Sequence, residues 1–576
     1  MIRKLLGCVG KYKLPAILSP IFISCEVIME IFIPLLMSKI IDVGIKGGGG
    51  VGYIVKVGGL MVLMSLLSLT FGVLSGKYAS IASTGFAKNV RKRMFDKIQD
   101  FSFANVDKFS TASLVTRLTT DVTFVQHAFM MVIRMMVRSP VMLVSATVLA
   151  VSINAELARV FFVAIPVLAV ALTFISIKAF PRFKQMFTKY DAMNSSVQES
   201  LVAIRVVKAY AREDYENGKF AKAAQGVMDA QRRAERVLIM NMPIMQVVMY
   251  LCIIAVLWMG GNLISIGGME TGELISFISY ITQILMSLMG LSMCFVSIVM
   301  SRASIVRICE VLDEDIDIKN NIAGKTEVEN GEIIFDNVSF SYSGNKNNCA
   351  LENVSFKINS GETIGMIGGT GSGKTTLVSL IPRLYDVSEG SVFVGGCDVR
   401  EYDLNALRDS VAMVLQNNVL FSGTIEENLR WGNEGATREE VEVACRSAAA
   451  HDFISAFPDG YETRLGQGGV NLSGGQKQRV CIARALLKKP KIIILDDSTS
   501  AVDTATDKKI RDAFRVSLAD TTKIIIAQRV ASVSDADKII VLDDGGINAI
   551  GTHEELLRTN EIYREIHDSQ QKVVEQ

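Results

Sequence analysis

Six long apolar stretches constrain this chain more than any other feature. They lie at about 14–37, 54–75, 129–153, 157–179, 238–264 and 274–300, each as long as the ~20 residues a helix needs to cross ~30 Å of hydrocarbon. Lipid offers no water to the peptide groups, so such runs are expected to be transmembrane helices. Composition agrees: 49% of the 576 residues are hydrophobic and mean hydropathy is +0.33, which excludes an ordinary soluble enzyme. A net charge of +1 provides no global field for nucleic acid, and no nucleic-acid partner is expected. The nine cysteines have no CxxC pair and no metal-ligand spacing. They read as reduced, mostly buried thiols.

The connections between the apolar runs alternate in character. The first, third and fifth (42–53, 154–156, 265–273) are short and Gly-rich or nearly uncharged. The second carries Lys88, Arg91, Lys92, Arg93 and Lys97, and the fourth Lys178, Arg182, Lys184, Lys189, Arg205, Lys208, Arg212, Arg232, Arg233 and Arg236. The positive-inside rule puts these two connections in the cytoplasm. The N-terminus, with Arg3, Lys4, Lys11 and Lys13, goes with them, and the first run reads as a retained span rather than a cleaved signal. Sparse Gly and Pro with recurring apolar positions predict helices that continue beyond the bilayer, where twenty extra residues would project roughly 30 Å. The turns are expected near 100–110 and 210–218, at tips that should touch something.

Charges within spans are costly and usually face a cavity or one another. Glu26 and Glu30 share one face of the first span, and Arg134 and Arg138 repeat the four-residue spacing on the third. These four read either as a polar substrate lining or as a structural ion-pair group. Met130, Met131, Met135 and Met136 offer an adaptable pocket on one reading and lipid-facing filler on the other.

Composition changes abruptly after the last span. The expected organisation is a membrane domain over 1–312, a polar linker over 313–331 and a soluble α/β domain over 332–576. In that domain 363–376 reads TIGMIGGTGSGKTT: an apolar strand and a Gly-rich loop, with a helix expected from Leu377 onward, the context a phosphate-binding loop requires. Gly368, Gly369, Thr370, Gly371, Ser372 and Gly373 let backbone N–H groups close around phosphates at a helix N-terminus. Lys374 would reach the outer phosphates, and the Thr375 hydroxyl would ligate Mg²⁺. The strand 492–496 ends in Asp496, a carboxylate suited to supporting that metal. Leu472-Ser473-Gly474-Gly475-Gln476 is a second Gly-rich turn entering a helix. Gln416 follows a predicted strand over 411–415, near the metal and an attacking water, and Tyr342 offers an aromatic face to adenine. Each alone has a plain structural reading: Gln416 as a loop amide, Tyr342 as a core aromatic, Asp496 as a helix cap.

Taken together, these motifs are similar to those of the ATP-binding cassette superfamily, and the chain resembles exporter half-transporters in which six spans are fused to one C-terminal nucleotide-binding domain. The resemblance implies an α-helical membrane domain joined to an α/β P-loop NTPase domain, with ATP and Mg²⁺ as cofactors. It assigns 368–376, including Thr376, to Walker A, Gln416 to the Q-loop, 472–476 to the signature, Asp496 to Walker B and 500–503, with Asp503, to the D-loop. It also implies that two such domains sandwich ATP between the Walker motifs of one chain and the signature of the other, and that the cytoplasmic helix tips dock on them.

Two residues depart from the family pattern. Asp497 stands where the family has a glutamate that polarises the attacking water, and Gln528 where it has the switch histidine. Aspartate is a methylene shorter, a setback on the order of 1 Å that can cost about 10²-fold. Glutamine donates a hydrogen bond but carries no imidazolium charge. ATP retention with poor hydrolysis at this chain's own site is therefore expected. The resemblance then implies a heterodimer, in which the chain lends its signature to a partner half-transporter, exports amphipathic small molecules and lies in the cytoplasmic membrane with N-terminus and nucleotide-binding domain inside. Lipid, peptide or siderophore transport, or a nucleotide-dependent gate subunit, are the alternatives. The absence of a peptidase-like extension before the first span weighs against processed-peptide export.

Overall fold

The structure, a computed structural model, describes residues 2–321, 323–345, 348–497 and 502–574. Two compact units form, one of Met1–Gln99 with Ser110–Glu314 and one of Asp100–Phe109 with Asp315–Gln576.

In the first unit, all six apolar runs lie within helices long enough to cross a membrane, Gly10–Lys46, Gly50–Gln99, Thr111–Ile153, Arg159–Val202, Glu213–Ser265 and Thr271–Asp313. The helices run far past the apolar segments, as the sparse Gly and Pro of the basic connections predict. Five of them matter below: α1 (Lys13–Lys39), α2 (Gly50–Gln99), α4 (Val122–Ile153), α5 (Arg159–Val202) and α8 (Thr271–Asp313). Polar side chains stitch neighbouring helices through backbone carbonyls, because in lipid an unpaired polar group has no water to turn to. Ser276 Oγ donates to the Pro34 carbonyl at 2.6 Å, Tyr280 Oη donates to the Ile31 carbonyl at 3.0 Å, and Ser19 and Ser75 bond across α1 and α2. Apolar side chains such as Phe161 and Phe277, with ring centroids 5.4 Å apart, fill the interior. Val163, Val170 and Phe174 on α5 remain exposed, the lipid-facing surface a bundle of this kind needs. The four methionines at 130, 131, 135 and 136 are half-buried, so they pack against protein as much as they face lipid.

The start of α8 is held to the end of the first span. The Gly272 N–H donates to Asp42 Oδ1 at 2.7 Å, a carboxylate at a helix N-terminus where the dipole favours it. A Cβ added to Gly272 would lie 2.5 Å from the Ser38 carbonyl oxygen and 2.4 Å from Asp42. Backbone cannot yield as a flexible side chain does, so Gly272→Ala is expected to lower stability by about 1–3 kcal/mol. A thermal-unfolding shift of the detergent-purified protein measures it; an unchanged midpoint would show that the two helix ends are not packed this tightly.

The second unit holds two sheets. A four-stranded antiparallel sheet has the order β2-β1-β4-β5, with β1 Ile333–Phe340, β2 Leu351–Ile358, β4 Glu389–Val394 and β5 Cys397–Asp398. A six-stranded sheet has the order β10-β9-β3-β8-β7-β6, formed by β3 Thr363–Gly368, β6 Val411–Val414, β7 Ile492–Asp496, β8 Thr522–Ile526, β9 Lys538–Asp543 and β10 Gly546–Gly551. Five of its strands are parallel and only β10 is antiparallel, to β9. Every residue of β7 and β8 is buried, which is why the isoleucines 492–494 and 524–526 follow one another instead of alternating with polar residues. In register, Ile526 sits beside both Asp496 and Met366. The carboxyl ends of β3, β8 and β7 therefore lie side by side, where parallel sheets bind ligands.

The tip of the first long cytoplasmic connection, expected to touch something, groups with this second unit. Its short helix α3 (Phe103–Phe109) places Asp107 Oδ2 2.9 Å from Tyr385 Oη, which donates to it, and the Phe103 ring 6.0 Å from that of Tyr385.

Candidate functional site

The phosphate loop leaves β3 at Gly368 and enters α9 (Lys374–Ser379), a helix that starts three residues before the expected Leu377. Gly368 has no room for a side chain: a Cβ would lie 2.2 Å from the Leu542 carbonyl oxygen. Gly373 caps α9 with φ +89°, a left-handed conformation that β-carbon sterics disfavour. At Gly369 and Gly371 an added Cβ would meet nothing within 4 Å, so the rim of the loop is open to a ligand. Lys374 Nζ is folded onto its own loop, donating to the carbonyls of Gly368 (2.9 Å) and Gly369 (2.7 Å) and to Ser372 Oγ (3.2 Å). Burial pulls its pKa below the ordinary lysine value, against the pull of Asp496 and Asp497. An anion in the loop gives this ammonium a charge partner in place of neutral carbonyls.

Thr375 Oγ1 donates to Asp496 Oδ2 at 2.9 Å. Burial raises the Asp496 carboxyl above the usual range, with Thr375 opposing and Asp497 adding to the shift. One hydroxyl and one carboxylate are hard-oxygen donors that suit Mg²⁺, which takes few protein ligands and completes its shell with phosphate and water. Among the described residues no group of three or more His, Cys, Asp or Glu could hold a metal by itself. Thr376 accepts or donates at 2.9 Å with Tyr342 Oη, and the Tyr342 ring stands edge-on to Phe340 and Tyr385. Tyr342 is 57% exposed, so its face is open beside the loop rather than buried as a core aromatic.

Asp497 adopts φ +48°, a left-handed turn directly after β7. Its N–H donates to the Ile526 carbonyl at 3.0 Å, while Gln528 Nε2 donates to its Oδ2 at 2.8 Å. Gln416, which follows the shorter observed strand β6, also hydrogen-bonds the Asp497 side chain. Burial raises the Asp497 carboxyl, and those two amides with Lys374 oppose the shift. The two residues that depart from the family pattern thus bond to each other. One N–H of the Gln528 amide is used in this bond and its second remains available as a donor.

The Gly-rich turn at 472–476 serves first as a helix start. Ser473 caps α10 (Gly474–Leu487) in a reciprocal capping box with Gln476, the Ser473 N–H donating to Gln476 Oε1 at 2.9 Å. Ser473, Gly474, Gly475, Arg479, Val502 and Asp503 line a cleft of about 330 Å³ that no phosphate-loop residue lines. Asp503 caps α11 (Thr504–Ser517) by accepting from the Thr506 N–H at 2.9 Å. Of the 500–503 segment, Ser500 and Ala501 lie outside the described residues.

In the membrane unit the two charged faces meet unequally. Arg138 pairs with both carboxylates, with Glu26 and, at 2.7 Å, with Glu30. Arg134 joins neither.

Sequence reasoning missed Gln570. On α12 (Glu561–Val574), its Oε1 accepts from the Val530 N–H at 2.9 Å and its Nε2 donates to the Gln528 carbonyl at 2.8 Å. It thereby clamps the loop that carries Gln528. Nothing local marks the residue; only its contact across the fold does. In a protein carrying Asp497→Glu and Gln528→His, Gln570→Ala is expected to lower ATP turnover about tenfold at unchanged nucleotide affinity, and Gln570→Glu, which keeps the bond to Val530, less. Equal kcat in all three would remove Gln570 from any positioning role.

Comparison with known proteins places the whole length. The family described as ABC transporter transmembrane region matches residues 16–288, and that described as ABC transporter matches residues 351–500. The chain is 38% identical over 569 residues to the uncharacterized ABC transporter ATP-binding protein YfiB of Bacillus subtilis, covering 99% of this chain and 98% of the relative. It is 30% identical to the putative multidrug export ATP-binding/permease protein YgaD of the same organism, with 98% of each covered. A solved bacterial Atm1-family ABC exporter with ATP bound superposes with a TM-score of 0.83 at 26% identity, over 96% of this chain and 97% of that one.

Proposed function

Since the chain belongs to the ABC transporter family, with its transmembrane and ATP-binding regions fused in the manner of an exporter, we propose that it is one half of a heterodimeric pump for amphipathic small molecules, holding ATP at a weakly hydrolytic site of its own. That it is a multi-pass membrane protein with an ATPase-coupled transport role follows from the family. The heterodimer and the weak site rest on one observation, the bond between Gln528 and Asp497.

The proposed roles follow from where the side chains stand. Lys374 and the open loop rim bind the phosphates, and Tyr342 supports the base. Thr375 and Asp496, with Gln416 nearby, would hold Mg²⁺, which when bound offsets phosphate charge. Asp497 is short for aligning a water, and its carboxylate is already engaged by Gln528 and Gln416. A hydrolytic step here works with a carboxylate already shared between two amide donors and lacks the reach of a glutamate. Ser473, Gly475 and Gln476 face a separate cleft, which fits a signature lent to a partner's site. A partner is also supported at the second cytoplasmic tip, where Val202, Tyr210 and Tyr215 are 82%, 76% and 66% exposed. That tip lies well past the apolar run, where lipid does not cover such residues. The basic second and fourth connections support placing the chain in the cytoplasmic membrane with its N-terminus and ATP-binding domain on the cytoplasmic side. ATP then drives transport only by binding the closed state more tightly than the open one.

The test compares this chain expressed alone with the chain co-purified with its partner half-transporter. Hydrolysis per site should be low for the chain alone and high for the pair, and the pair's activity should vanish when the partner's catalytic carboxylate is neutralised. Full turnover by the chain alone would establish a homodimer with two working sites. ATP-driven opening without turnover, in reconstituted vesicles, would make the chain a gate subunit instead, a reading that the engaged Asp497 also fits.

A further inference from the structure

We propose that Arg134 is the head-group site for an amphipathic organic anion, a molecule with a carboxylate, phosphate or sulfonate at one end and an apolar body at the other. The proposal deepens the export reading by naming the class of solute and rests on it. Its starting point is an imbalance within the membrane span. Arg138 takes one oxygen of Glu26 and one of Glu30, while Glu26 Oε2 stays buried without a partner, so both carboxylates bond Arg138 and neither bonds Arg134. Arg134, one helical turn away on the same face of α4, has no hydrogen bond or ion pair among the described residues, and its Nε is buried without a partner. An unpaired guanidinium in a span carries a steep desolvation cost. A counter-charge delivered by a ligand offsets that cost only while the ligand is bound.

The surroundings are shaped for such a ligand. Gly72 and Gly76 on α2 replace two side chains with space. A Cβ at Gly72 would lie 3.0 Å from Glu26 Oε2, and one at Gly76 would lie 3.8 Å from Arg134 Nη1. The glycines thus admit the charged groups between α1, α2 and α4, in place of the helix contact that such spacing usually serves. Lys77, the next residue on α2, is exposed, so positive charge is in excess at this level. On the same two helices, Phe22 of α1 stacks on Tyr78 and Phe71 of α2, at 5.5 Å and 6.2 Å between ring centroids. A guanidinium presents a planar fork to carboxylate, phosphate or sulfonate oxygens, and these rings give the α1–α2 seam an apolar surface on which a ligand's body can lie. Arg134 sits near the end of the 129–153 run that follows the basic connection, on the side where a solute enters for export.

Binding is read without turnover, so failure of the pump reading leaves this test intact. The complex is placed in phosphatidylcholine nanodiscs and titrated with a dansyl-labelled undecanoic acid and with its methyl ester, which share the apolar body and differ in charge. The acid is expected to bind roughly tenfold more tightly than the ester. Arg134→Ala should remove that preference by weakening the acid alone, and Arg134→Lys should keep most of it. Equal affinity of acid and ester for the unaltered chain would overturn the proposal without recourse to any variant, as would equal loss of both probes in Arg134→Ala. Exchanging the lipid for phosphatidylglycerol separates the two sources of such an anion. Displacement of the acid assigns the head-group site to membrane lipid, and retention assigns it to a free solute; either keeps the anion at Arg134.

Discussion

Changing Asp497→Glu and Gln528→His together is expected to raise ATP turnover at this chain's site by about 10²-fold in the proposed heterodimer. The argument is geometric. Aspartate at 497 ends a methylene short, and its Oδ2 accepts from Gln528 Nε2 at 2.8 Å. Glutamate extends the carboxylate toward the water, while histidine removes the amide donor that holds it and restores a side chain able to carry charge. Asp497→Glu alone should give a smaller rise, because Gln528 and Gln416 remain donors to the longer carboxylate. Turnover is measured with the partner's own catalytic carboxylate neutralised, so that only this site is counted. No rise in the double variant would show that the partner's signature, and not these two residues, limits the site.

The other large effect is at Lys374. Its ammonium rests on two backbone carbonyls and a hydroxyl, neutral groups that a phosphate outcompetes. Removing it in Lys374→Ala takes away the one cation of the loop and should weaken ATP binding by about 10²-fold or more. The fold should be unaffected, since every hydrogen bond of the ammonium is made within its own loop. Fluorescent-nucleotide titration with and without Mg²⁺ reads the change, and circular dichroism checks the fold. Unaltered affinity would mean that the loop's backbone N–H groups carry the phosphate by themselves. The direction with pH follows from burial. The Lys374 pKa is held below the ordinary lysine value in this structure, and a bound anion raises it. The lysine's contribution to binding is therefore complete below the free protein's pKa and fades as rising pH deprotonates first the free and then the bound lysine.

The comparison between sequence and structure is clearest residue by residue. The six spans were legible because their signal is local: twenty consecutive apolar residues need no tertiary knowledge to be read as helices in lipid. The phosphate loop was legible for the same reason, since strand, glycines, lysine and threonine follow one another within a single supersecondary unit. The start of α9 differed from expectation because the motif itself supplies the first helical turn, with Gly373 as its cap. Gln476 showed a role that the motif does not announce, as the reciprocal partner of Ser473 in a capping box. Tyr342 has two readings in the sequence, and its exposed ring speaks against the core one alone.

What the sequence determined by itself is what contiguous residues encode: an α-helical membrane part, an α/β part with a nucleotide loop, and two substitutions at positions where the family pattern is strict. Tertiary structure alone decided which distant groups share their charges and bonds. Glu26 and Arg138 are separated by 112 residues, Gln528 and Asp497 by 31, and Gln570 and Gln528 by 42. Four intramembrane charges at matching helical spacing permit several pairings, and only the packing of α1, α2 and α4 spends both carboxylates on Arg138 and leaves Arg134 without one. The physical reason is that helical periodicity fixes which face a residue occupies, while the identity of the facing residue depends on how the helices cross, and that is set by packing across the whole bundle.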